Sequence, residues 1–166
     1  MFNPGSGIPV EENNGDNRMI RILGALAAVT LGVMAVMAQN LAPIKERQEL
    51  MKKSDDDLKL LSKMTRGEAP YDASKVTSAY TEMQSTYKKV QNLFPEDSKT
   101  GEKTRAMSKI WENRADFDAK LAALIKVVGE AKEKAVDEAS FKEIHPAVVK
   151  ACDNCHADYR VRRQQQ

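Results

Sequence analysis

The chain is short of aromatic residues, of glycine and proline, and of charge of one sign. Only 5% of its 166 residues are aromatic, and runs of β-branched residues are sparse, so the usual material of β-sheets is missing. Eight glycines and six prolines are too few for a low-complexity or collagen-like chain. Twenty-six basic residues stand against 24 acidic ones, a formal net charge of +2. No strongly basic surface follows, and nucleic acid is not an implied partner. A mean hydropathy of −0.54 excludes a polytopic membrane protein. What remains is rich in Ala, Lys, Glu, Asp and Met, and points to a single all-α domain with an apolar core.

Long hydrophobic runs are also lacking, with one exception. Residues 22–38 (ILGALAAVTLGVMAVMA) carry no charge, follow Arg18 and Arg21, and end in Val36-Met37-Ala38. A positive start, an apolar stretch and small residues at the cleavage positions read as a secretory signal. The rival reading is a retained anchor, although about 17 residues reach only about 26 Å against a hydrocarbon core of roughly 30 Å. The chain therefore divides into a polar leader over 1–18, a signal peptide or membrane anchor over 19–38, and a domain over 39–166. Met19 offers an alternative start. Cleavage after Ala38 removes two arginines and three carboxylates and leaves a net charge of about +3. Everything after it is expected to work in the periplasm, and to be tethered to the membrane only if the segment is retained.

Four amphipathic stripes follow. Pro43 suits a first helical turn, and Ile44, Arg47/Gln48, Met51, Ser54/Asp55, Leu58 and Leu61 recur at helical steps until Gly67. Asp72 is a plausible N-cap for a second helix carrying Val76, Tyr80, Met83, Tyr87, Val90 and Phe94, stopped by Pro95. A polar loop over 95–105 and a helical turn within 106–111 precede a third stripe, Phe117, Leu121, Leu124, Val128, Ala131 and Ala135. Residues 137–140 read as a link. The fourth stripe is Phe141, Ile144, Val148, Cys152, Cys155 and Tyr159, with Pro146 inside it; because the stripe runs through the proline, the helix is expected to kink there and not to begin there. Four such helices predict an antiparallel four-helix bundle.

Both cysteines lie in one pentapeptide, Cys152-Asp153-Asn154-Cys155-His156. C-x-x-C-H reads as covalent attachment of one haem c. Thiols at i and i+3 share a helical face and can reach two vinyl groups of one porphyrin, and His156 then offers an imidazole to the iron from the proximal side. A disulfide leaves His156 unexplained. A thioredoxin-like pair needs a helix N-terminus beside a βαβ unit. Zinc needs a second pair of ligands, and the one remaining histidine is His145. That residue lies eleven positions, about 16 Å, before His156, and is expected to be a half-exposed helix residue and not a second ligand.

A haem in the last helix of a four-helix bundle resembles the class II c-type cytochromes, the cytochrome c-prime family. The resemblance covers most of 43–166. It is carried by CDNCH together with Arg47-Gln48 and Met51, the Glu68-Ala69-Pro70-Tyr71-Asp72 turn, Lys109-Ile110-Trp111 with Phe117, and Tyr159-Arg160. It implies that Met51 lies on the distal side of the haem. The run Gln48–Lys52, with LFPED and KIWENRADF downstream, looks closer to the low-spin, methionine-ligated branch. A His156/Met51 pair raises the reduction potential and leaves no open site, which makes an electron carrier between redox partner proteins and not an enzyme. If Met51 only packs on the ring, as core methionines do, the iron is five-coordinate and the protein binds NO or CO. Arg47 and Arg160 are candidate partners of the haem propionates or else solvated charges, and Trp111 is a candidate for the porphyrin edge. The lysines, Lys45, Lys52, Lys53, Lys59, Lys63, Lys88 and Lys89 among them, form a docking face for an acidic partner or merely a solvated one. Bundles of this family occur as monomers and homodimers.

Overall fold

The computed structural model describes residues 40–162, and the leader and the signal or anchor segment lie outside them. Among the described residues no helix is long and apolar enough to cross a membrane. Four long helices form the bundle: α1 (Leu41–Thr65), α2 (Ala73–Val90), α4 (Arg114–Lys134) and α5 (Glu138–Tyr159), with a single-turn α3 (Lys109–Glu112) before α4. α5 packs on α4, α4 on α2, α2 on α1, and α1 closes on α5. The stripes meet at the centre: Ile44, Leu61, Val76, Tyr80, Met83, Val90, Val128, Phe141 and Val148 are buried almost completely, and Met64 and Met83 are core residues as the periodicity implies.

Local signals fix the ends. Gly67 takes φ +76° directly after α1, and its N–H and that of Glu68 bond the carbonyls of Met64 and Lys63. A Cβ at Gly67 would touch nothing within 4 Å. Gly67→Ala is therefore expected to cost about 1 kcal/mol through backbone conformation alone, measured by denaturant unfolding, and an unchanged midpoint would show that the turn opens without penalty. Asp72 caps α2 by accepting from the Lys75 N–H at 3.0 Å.

One expectation is corrected. Residues 137–140 are not a link. Asp137 and Ser140 form a reciprocal capping box, with Ser140 N–H on Asp137 Oδ1 at 2.8 Å and Asp137 N–H on Ser140 Oγ at 3.1 Å, so α5 begins at Glu138. The fourth helix runs through Pro146 from Glu138 to Tyr159, as its continuous apolar stripe implies. The proline sits on the exposed side, where losing one amide donor is tolerated while Phe141, His145, Val148 and Cys152 hold the opposite side in the core.

The 91–108 connection is held from α1. Gly101, Glu102 and Lys103 take consecutive positive φ values of 107°, 47° and 52°, the last two in a region that costs a non-glycine residue about 1–2 kcal/mol. Gln48 Nε2 donates to the Glu102 carbonyl at 3.0 Å, and Lys45 pairs with the Glu102 carboxylate at 3.3 Å. The connection then pairs with the end of α5: Met107 N–H donates to the Tyr159 carbonyl at 3.0 Å and Val161 N–H to the Arg105 carbonyl at 2.9 Å.

Candidate functional site

Cys152, Cys155 and His156 occupy the last two turns of α5, and neither thiol is in a disulfide. Cys152 is buried; Cys155 is half-buried and lines a groove of about 370 Å³ whose other walls include Leu124, Val127 and Ala151. Burial pushes the Cys152 thiol up to about 11, and burial raises Cys155 as well. Both are protonated at neutral pH, the opposite of the lowered thiol that a thioredoxin-like pair needs. Burial, followed by the Arg160 charge, lowers His156 to about 4, so the imidazole is neutral and has a lone pair to give. Among the described residues no group of three or more His, Cys, Asp or Glu side chains could hold a metal ion. The chemistry of this donor set fits a haem c: two thiols on one helical face for the vinyl groups, and one neutral imidazole for the iron.

Hydrogen bonds between helices set the level at which α1 faces this motif. Ser54 Oγ donates to Tyr87 Oη at 2.7 Å, and Tyr87 Oη lies 3.9 Å from Cys152 Sγ. Further along, Ser62 Oγ meets His145 Nε2 at 3.0 Å. Eight residues of α1, about 12 Å, thus answer to seven of α5, about 10.5 Å, and the two helices run antiparallel and nearly in step. Continuing three residues before Ser54 brings Met51 level with Cys155 and His156. Met51 is half-buried and packed against the core, on the same helical face as Ser54.

Arg47 is buried at 4% exposure, so it is not a solvated charge. Nη1 donates to the Leu93 carbonyl and Ser98 Oγ, both at 2.9 Å, and Nη2 to the Ser98 carbonyl at 2.8 Å and Thr104 Oγ1 at 3.1 Å. Its guanidinium lies 4.8 Å from the Phe94 ring centroid and 5.8 Å from that of Trp111. Trp111 is half-buried; its indole N–H is shared by the Phe94 and Pro95 carbonyls at 3.1 Å each. The structure thus brings Arg47 and Trp111 together around Phe94, whose ring continues edge-on to Phe117 at 4.8 Å and then to Tyr159 at 5.3 Å. Arg160 stands apart as the exposed C-cap of α5, its N–H on the His156 carbonyl at 3.1 Å. Three of the named lysines have carboxylate partners, Lys45 with Glu102, Lys53 with Glu82 and Lys59 with Asp55.

His145 is not half-exposed: it is 2% exposed, with Nε2 on Ser62 and Nδ1 3.0 Å from Tyr80 Oη. Burial, with the Arg66 charge second, lowers it to about 4. Sequence reading also missed the link between Ser54, Tyr87 and Cys152. The available signal was two hydroxyl-bearing residues on otherwise apolar stripes, positions where a buried polar group needs a partner.

A family model described as Cytochrome C' matches residues 42–160. The chain is 35% identical to cytochrome c' of Rhodopseudomonas palustris over 87% of its own length and 98% of that protein. It is 34% identical to cytochrome c-556 of the same organism over 86% and 97%. The solved structure of cytochrome c' from Rhodopseudomonas palustris superposes with a TM-score of 0.71, covering 74% of this chain and 98% of that one.

Proposed function

The chain belongs to the cytochrome c' family, and we propose that it is a periplasmic mono-haem cytochrome that passes single electrons between redox partner proteins, its iron held between His156 and Met51. Membership carries a covalently attached haem c, whose iron supplies the one-electron ferric/ferrous couple. Cys152 and Cys155 would hold the ring through thioethers, and His156, neutral before any metal arrives, would hold the iron on the proximal side. Met51 would offer the iron a soft thioether; a His/Met pair favours the ferrous state and leaves no vacant position for a substrate or gas. The observation that carries this reading is the register of α1 on α5, in which Met51 comes level with His156. Arg160, exposed one turn beyond His156, can follow a propionate. Arg47, with four N–H groups committed inside the chain, acts there by fixing the 93–104 segment.

The absorption spectrum of the holoprotein tests the reading. The ferric protein is expected to be low-spin with a methionine-to-iron charge-transfer band, and the ferrous protein to bind CO slowly. Met51→Ala should abolish the band and leave a predominantly high-spin spectrum with rapid CO binding. A wild-type protein that is already high-spin and takes CO rapidly would make the open-site, gas-binding reading the correct one. A Met51→Ala protein that keeps the methionine band would remove Met51 alone.

A further inference from the structure

At the level of Cys152 the bundle core contains two hydroxyls that apolar residues of the same shape could replace. Ser54, Tyr87 and Cys152 are 4%, 3% and 8% exposed, and they form one line from α1 through α2 to α5. A buried hydroxyl is costly unless it is hydrogen-bonded, and Phe at 87 with Ala at 54 would fill this space without that cost. The bonding has a direction. The Ser54 proton is spent on Tyr87 Oη at 2.7 Å, so the Tyr87 proton has Cys152 Sγ, at 3.9 Å, as its acceptor. A thiol could in principle donate in the opposite sense. A thioether has lone pairs and no proton, so attachment at Cys152 leaves Tyr87 as the only possible donor.

We propose that Ser54 and Tyr87 form a hydroxyl relay that donates to the Cys152 sulfur of the attached haem, making Tyr87 a positioning residue that raises the reduction potential. This rests on the haem-attachment reading of Cys152. An O–H donated to the sulfur withdraws electron density from the ring it is bonded to and favours the ferrous state, and donation by Ser54 strengthens the Tyr87 donor. The same bond ties α1 to α2 one turn from Met51, so the relay also fixes the helix that presents the distal side chain.

Redox titration of holoproteins matured with haem-attachment machinery tests this. At a potential poised at the wild-type midpoint, Tyr87→Phe is expected to raise the ferric-to-ferrous ratio from one to about three, a fraction of one hydrogen bond. Ser54→Ala should shift it in the same direction by less. The double variant should match Tyr87→Phe alone, because Ser54 acts only through Tyr87. The C–S stretching band in resonance Raman should move on exchange into D2O in the wild type, move less in Ser54→Ala and stay still in Tyr87→Phe. Unmoved potentials, additive shifts or an isotope-insensitive wild type would overturn the relay. Ser54→Ala, which leaves the Tyr87 ring in place, decides the matter if Tyr87→Phe does not mature. A chain whose mass lacks haem would overturn the attachment itself, a separate failure.

Discussion

Arg47→Ala is expected to destabilise the domain by about 3 kcal/mol and to lower its thermal midpoint by about 10 °C. The side chain is buried, and it fills four acceptors on a connection whose regular structure within 91–108 is a single 3-10 turn, Glu96–Ser98. Ser98, wholly buried, is held by Arg47 through both its hydroxyl and its carbonyl. Removing the guanidinium leaves these groups without their partner in a place that water reaches poorly, and it removes the cation from the Phe94 face. It also releases the segment that carries the left-handed Glu102 and Lys103, whose conformation persists only while neighbours hold it. Arg47→Lys separates charge from geometry. An ammonium keeps the charge but cannot fill four acceptors with a planar fork, so an intermediate loss of about 1–2 kcal/mol is expected. A lysine variant as stable as the wild type would show that the fork is not what holds the connection. Calorimetry of both variants beside the wild type, with haem content matched, makes the comparison.

The bundle was legible because its evidence is local. Stripes at three- and four-residue steps, the Asp72 cap and the glycine after α1 all act within a turn of where they stand, and each lies at or next to a boundary that forms; Pro95 does not stop the second helix, which ends at Val90 and leaves Phe94 outside it. The C-x-x-C-H motif is legible for the same reason: five consecutive residues contain its chemistry. What escaped is bonded over long separations. His145 occupies a position that one-dimensional reading treats as a helix flank, and its two partners are 83 and 65 residues away. The burial of Arg47 is not legible in one dimension because its acceptors, 46 to 57 residues on, are backbone carbonyls and hydroxyls of the 93–104 segment. The start of α5 was misplaced because Asp-x-x-Ser carries the reciprocal cap with a hydroxyl in place of the usual Glu or Gln, so the familiar pattern was missing. Buried polar residues on apolar stripes were the common signal in these misses, and each marked a place where two or three elements are tied together.

His145 supplies the second large effect, one that depends on pH. As a neutral imidazole it has one N–H and one lone pair, and hydroxyls from Ser62 on α1 and Tyr80 on α2 complete both. Protonation would place a charge among Phe141, Tyr80 and Ser62, where the Arg66 charge disfavours it further and the ring's hydrogen-bond partners are both hydroxyls. The folded value of about 4 lies below the 6.5 of an unfolded chain, so the unfolded state binds the extra proton between those limits. Stability from this site is complete above pH 6.5, declines as pH falls towards 4, and levels off below. The total loss is about 3 kcal/mol. Glutamine at this position offers a donor and an acceptor and cannot titrate. His145→Gln is expected to be about 1–2 kcal/mol less stable than wild type at pH 7, with the gap closing or reversing by pH 4. Carboxylates lowered by their partners, Asp72 by the Lys75 N–H and Asp137 by Ser140, lose their own contributions in acid equally in both proteins, so the difference isolates the histidine. Denaturant unfolding of the two proteins from pH 7.5 to 4 measures it, and parallel stability curves would show that His145 keeps its proton balance on unfolding.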